Sequence, residues 1–128
     1  MNELTEGVSW LAVAGSTILS FMLGGLWYSS ILFGAKWAEG VGVATGPGAK
    51  QPLGGLLTQL AGTFLLAWLM AVLAASGAYG IVVLVVLAAT LLLIAANLFS
   101  AHSLYASLVQ GGFVVAMALI MLLCNVLL

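Results

Sequence analysis

Few side chains in this sequence could carry chemistry. His102 is the only histidine, the side-chain type that titrates near neutral pH. It stands in Ser100-Ala101-His102-Ser103. A serine beside a histidine is not a triad: a third group must orient the imidazole, and no carboxylate follows Glu39. One imidazole could ligate a haem or chlorophyll-type metal, but a lone histidine in an interfacial turn more often faces headgroups, so no cofactor or metal is expected. Cys124 is the sole cysteine and lies within the last apolar run, where it reads as a small buried hydrophobe. The remaining polar candidates are Gln59, Asn97, Gln110 and the phenol of Tyr28.

What must position these groups follows from composition. The chain has 128 residues, 65% hydrophobic and 4% charged, whereas a soluble domain carries about a quarter charged residues. Lipid is the solvent that suits such a surface, so the bilayer is the first expected partner. The charges are Glu3, Glu6, Lys36, Glu39 and Lys50, with no Asp and no Arg. Two lysines cannot neutralise a phosphate backbone or build a polybasic lipid patch, which excludes nucleic acid as a partner. The tail Met1–Glu6 is acidic and the run after it is long, unlike a cleaved signal peptide.

At about 20 residues per crossing, four helices nearly exhaust the length. The expected fold is all-α: a single four-transmembrane-helix bundle over 1–128. Its helices fall at about 8–33, 53–76, 80–99 and 103–127, with a loop at 34–52. That loop is rich in glycine and holds Lys36, Glu39, Lys50, Pro47 and Pro52. The segment Ile81–Leu87 has strand-like residues, yet a lone strand in hydrocarbon would leave its backbone unpaired, so a helix is expected. A β-barrel would need short alternating segments, which are missing. Lys36 and Lys50 share the 34–52 loop, so the positive-inside rule places it in the cytoplasm and both termini on the outer side.

Lipid tails are as apolar as leucine, so small residues and interhelical hydrogen bonds must drive packing. The first run carries Ala12, Ser16, Ser20 and Gly24 at four-residue spacing, one continuous helix face. This packing face serves either the chain's own bundle or a partner helix, including a second copy. The second run offers Thr58 and Gly62. The third is bulkier, with Ala88, Ala89, Ala95 and Ala96, and the fourth has Ser103, Ser107 and Gly111.

With these helices in place, Tyr28, Gln59, Asn97, His102 and Gln110 converge on the cytoplasmic half. Gln59 and Gln110 fall roughly 9–11 Å below their helix ends at about 1.5 Å per residue. A buried amide in hydrocarbon must find partners. In the structural reading, Gln59, Gln110 and Asn97 bond one another and fix helix register. In the functional reading, the cluster forms a shallow polar pocket for a lipid headgroup or a small polar ligand.

Trp27-Tyr28-Ser29, then Leu32-Phe33-Gly34 and Trp37, resembles the signature of the uncharacterised bacterial membrane family catalogued as domain of unknown function 1761. Leu98-Phe99, then Gln110, Gly112 and Phe113 before a final apolar helix, is similar to that family's C-terminal half. The chain departs from the family pattern at Ser30, where proline is usual. It departs again at Ser100, His102 and Tyr105, where charged residues are usual. The resemblance implies a four-helix membrane protein and no particular activity; the expected location is the bacterial cytoplasmic membrane.

Three function classes remain in view. Near-absence of charge and the small-residue faces point to a non-catalytic accessory or scaffold subunit of a larger membrane complex. The alternative is a small homo-oligomeric transporter, pore or lipid-binding bundle for an uncharged solute. Proton-coupled export is disfavoured because no acid lies within an apolar run. An enzyme is not expected, for want of a nucleophile with a base, an acid pair or a metal set.

Overall fold

The structure is a computed structural model that describes residues 2–28, 32–41 and 53–128. Among the described residues, six helices follow one another: α1 (Asn2–Thr5), α2 (Trp10–Trp27), α3 (Gly34–Val41), α4 (Leu53–Ala75), α5 (Tyr79–Phe99) and α6 (Leu104–Leu127). Among the described residues there is no strand. The four long helices are each long and apolar enough to cross a membrane, which makes the chain an integral membrane protein. The Ile81–Leu87 segment lies inside α5.

Local signals set the helix ends. The Ser9 hydroxyl accepts from the Ala12 N–H at 3.2 Å and starts α2; Ser103 caps α6 by accepting from Ala106 N–H at 3.0 Å. Both tight turns close with the same paired bonds. After α4, Ala78 N–H donates to Leu73 O at 2.9 Å and Gly77 N–H to Ala74 O at 3.1 Å. After α5, His102 N–H donates to Asn97 O at 3.0 Å and Ala101 N–H to Leu98 O at 3.1 Å. This Schellman arrangement needs a left-handed residue, usually glycine. Gly77 supplies it at φ 68°, whereas Ala101 adopts φ 62° with a Cβ.

The central element is α6, with nine buried residues against three on α5. It packs on α2, α4 and α5, while α5 lies against little else. A Cβ on Gly24 would stand 3.2 Å from the Phe113 ring, and one on Gly15 would stand 3.4 Å from Leu128. Hence α2 and α6 run antiparallel, and both chain ends lie at the same end of the bundle. Val13, Ala67, Met70, Val82, Phe113, Met117 and Met121 fill the core. Unbranched methionines suit the irregular space where helices cross. Trp10 packs against Trp68 near one end, ring centroids 5.6 Å apart and planes tilted by 54°. Trp27 and Tyr28 cluster with Phe33, Trp37 and Phe113 near the other, at 4.8–6.1 Å. Aromatics at two levels match the two interfaces of a bilayer.

Two boundaries differ from the sequence reading. The first long helix ends at Trp27 rather than Phe33, because Tyr28 already has non-helical backbone (ψ 9°) and caps it. Residues 34–41, expected as loop, form α3. This helix is amphipathic: Ala38 is buried while Lys36 and Glu39 are exposed. It lies on the start of α6, where the Gly40 carbonyl accepts from Ser103 N–H at 3.0 Å. Gly40 is required there, since a Cβ would collide with the Ser103 hydroxyl and Ala106. The rest of the 34–52 loop, including Pro47, Lys50 and Pro52, lies outside the described residues, as do Ser29 and Ser30.

Candidate functional site

The five expected polar residues all belong to one end of the bundle but divide into three separate contacts. The Tyr28 hydroxyl donates to Gln110 Oε1 at 3.1 Å, joining α2 to α6. One residue back, the Trp27 indole N–H donates to the Val109 carbonyl at 3.0 Å. Trp27 and the α2 cap Tyr28 thus grip two adjacent α6 residues. Burial pushes the Tyr28 phenol above its ordinary range, so it stays a donor throughout the physiological pH range.

The second contact is Asn97 with His102, Oδ1 to Nδ1 at 2.7 Å. Asn97 Nδ2 also donates to the Leu93 carbonyl at 2.9 Å. Only the amide nitrogen can donate to a carbonyl, which orients Oδ1 toward the ring. A carbonyl oxygen accepts, so Nδ1 carries the proton, and in the neutral ring Nε2 holds a lone pair. The Schellman turn makes this possible, because it brings the residue after the left-handed position back over Asn97. The ring is held by an amide and not by the carboxylate of a catalytic triad. Nearby, the Lys36 ammonium sits 4.9 Å above the Tyr105 ring, a cation–π contact.

Gln59 stands apart from the other four. Its side-chain nitrogen reaches Thr63 Oγ1 on its own helix at 3.4 Å, while Thr63 donates to the Gln59 carbonyl at 2.6 Å. The side chain is exposed and borders an open cleft of about 480 Å³. Gly54, Gly55, Thr58, Gly62, Thr63 and Met117 complete the described lining. Among the described residues, no bond joins Gln59, Asn97 and Gln110 to one another, contrary to the structural reading of the cluster. Their depth is similar, but Gln110 faces α2 and Gln59 faces outward.

The Ala12–Ser16–Ser20–Gly24 face is turned inward. Ala12, Ser16 and Ser20 are buried, and Gly24 lies under Phe113. The chain's own α4 and α6 cover α2, leaving no free face there for a partner. Among the described residues, the hydroxyls of Ser16, Ser20 and Thr90 and the Trp37 indole N–H are buried without a hydrogen-bond partner. Also among the described residues, no three His, Cys, Asp or Glu side chains converge, and Cys124 is a buried free thiol.

Sequence reasoning missed Trp27 as an interhelical donor and Thr63 as a member of the cleft. Trp27 was visible as an interfacial aromatic, but its partner is a backbone carbonyl and leaves no mark in the sequence. Thr63 was visible only as the residue one turn after Gln59.

Comparison with curated proteins gives no match, and comparison with solved structures gives none. A family model described as "protein of unknown function (DUF1761)" matches residues 11–126. That match extends from the first turn of α2 to the last turn of α6, and the chain belongs to this family.

Proposed function

We propose that this chain is a non-catalytic accessory or scaffold subunit of a larger complex in a bacterial cytoplasmic membrane. The carrying observation is α5. Of its 21 residues only Val82, Thr90 and Asn97 are buried, and the helix exposes Ala88, Ala89 and Ala96 between large apolar side chains. Small residues allow close backbone approach, the main source of helix association in lipid. The α2 stripe is already occupied within the bundle, whereas the small residues of α5 are free to meet another subunit. The lysines support an orientation with the 34–52 loop in the cytoplasm and both termini outside. Extraction into native nanodiscs tests the reading: the chain should leave the membrane with a stoichiometric protein partner, and isolation as a lone monomer contradicts it.

A second reading is a small homo-oligomeric transporter, pore or lipid-binding bundle for an uncharged solute. The cleft beside Gln59 favours it, because it sets hydrogen-bonding groups in a chain segment that otherwise meets lipid.

A further inference from the structure

The outward face of α4 changes character along its length. Over its first three turns it is small and polar: Gly54, Thr58, Gln59, Gly62 and Thr63 line the cleft. Among the described residues, Gly54 and Gly62 have nothing within 4 Å of where a Cβ would stand, so no described helix fills the space. On the same face, three and seven residues beyond Gly62, come Leu65 and Leu69. With Leu4, Trp68 and Val72 they line a second groove of about 190 Å³ that is apolar. A polar cleft and an apolar groove therefore follow one another along α4. From Gly54 to Val72 the two span roughly 27 Å at 1.5 Å per residue, close to the thickness of one hydrocarbon core.

Part of the hydrogen-bonding capacity of the cleft is unused, and its described lining is uncharged. Thr58 donates to Gly54 O at 2.8 Å, which leaves its oxygen free to accept. The Gln59 side chain makes only the long 3.4 Å contact to Thr63 with its nitrogen, and among the described residues its side-chain oxygen Oε1 has no partner, the bond from Thr63 going to the backbone carbonyl. An amide oxygen left unpaired at hydrocarbon depth is unfavourable, so a polar occupant is favoured. From Gln51 to Leu128 no residue carries a formal charge other than, when protonated, His102. Among the described residues, such a wall offers no counter-ion to a phosphate or an ammonium group.

We infer that this face binds an uncharged lipid, its hydroxyl or carbonyl head in the Gln59 cleft and its tail along Leu65 and Leu69. Such a site deepens the second reading and rests on it. The test uses the full chain in phosphatidylcholine nanodiscs with three photoactivatable probes. These are a diacylglycerol, a phosphatidylcholine with the same acyl chains, and a water-soluble glycerol derivative without a tail. The diacylglycerol should label α4 peptides preferentially. Gly62→Leu, which fills the head position, should cut that labelling by about tenfold, the equivalent of about 1.4 kcal/mol. Gln59→Leu should cut it by roughly fivefold, as expected for one lost hydrogen bond. Equal labelling by the two lipids, or labelling undiminished in both variants, overturns the site and leaves only bulk lipid contact. If the soluble probe alone labels α4 in a Gly62-dependent way, the lipid is overturned and the solute-binding reading survives. If no probe labels α4, both fall.

Discussion

Asn97 holds His102 twice: its carbonyl accepts the His102 backbone N–H at 3.0 Å, and its side-chain oxygen meets the imidazole Nδ1 at 2.7 Å. One turn thereby fixes both the chain direction between α5 and α6 and the ring's tautomer. In ¹⁵N-labelled protein the neutral ring should be protonated at Nδ1. Asn97→Leu should shift the ring to a mixture of tautomers while the four long helices remain. Nε2 protonation in the parent protein would contradict the assignment.

Ala101, in the same turn, adopts the left-handed region with a Cβ. That conformation costs an L residue roughly 1–2 kcal/mol, offset in part by the greater unfolded-state freedom of glycine. Ala101→Gly should therefore stabilise the protein by about 0.5–1 kcal/mol, measured by reversible unfolding in mixed micelles. Destabilisation would mean that the turn is not strained.

Tyr28 and Gln110 join α2 to α6, and Trp27 reinforces the join from the next residue. Interhelical hydrogen bonds in lipid contribute about 0.6–2 kcal/mol. Tyr28→Phe and Gln110→Leu should each destabilise by about 1 kcal/mol, and the double variant should cost less than their sum. Additive losses in the same unfolding assay would show that the two side chains do not interact.

Ser16 and Ser20 are buried with hydroxyls unpartnered among the described residues. Their value is small volume, and the hydroxyl itself is a cost of about 1 kcal/mol or more. Ser16→Ala and Ser20→Ala should be neutral or stabilising. Ser20→Leu should destabilise by about 1–3 kcal/mol through overpacking against the core. A marked loss of stability in the alanine variants would reveal a hydrogen bond the packing does not show.

How much of this was legible follows from what sequence encodes in a membrane chain. The four spanning helices were readable because charge is confined to residues 3–50. The helix α3 was not, since glycine on both sides suggested a loop. Its signal was present in the spacing of Trp37 and Ala38 against Lys36 and Glu39. Depth was readable too: Tyr28, Gln59, Asn97, His102 and Gln110 all fall at one end. Direction was not. A residue's distance from its helix end says how deep it lies, but the neighbour it faces depends on rotation about each helix axis. A chain apolar on every side gives no amphipathic signal to set that rotation. Hence Gln59, expected among the other amides, turns outward to the cleft.

The membrane orientation is a separate expectation, resting on Lys36 and Lys50. In a Cys124→Ser background, a cysteine placed at Lys36 should react with an impermeant maleimide only after cells are opened. One placed at Leu128 should react on intact cells. The reverse pattern would invert the bundle.

The most direct test of the subunit proposal is native mass spectrometry of the chain extracted in native nanodiscs, compared with Ala89→Trp. The outward faces of α5 should hold another membrane protein in fixed stoichiometry, and the bulky residue on that face should release it while the bundle stays folded. A parent protein that emerges alone at monomer mass, or a partner retained unchanged by Ala89→Trp, would contradict docking through α5.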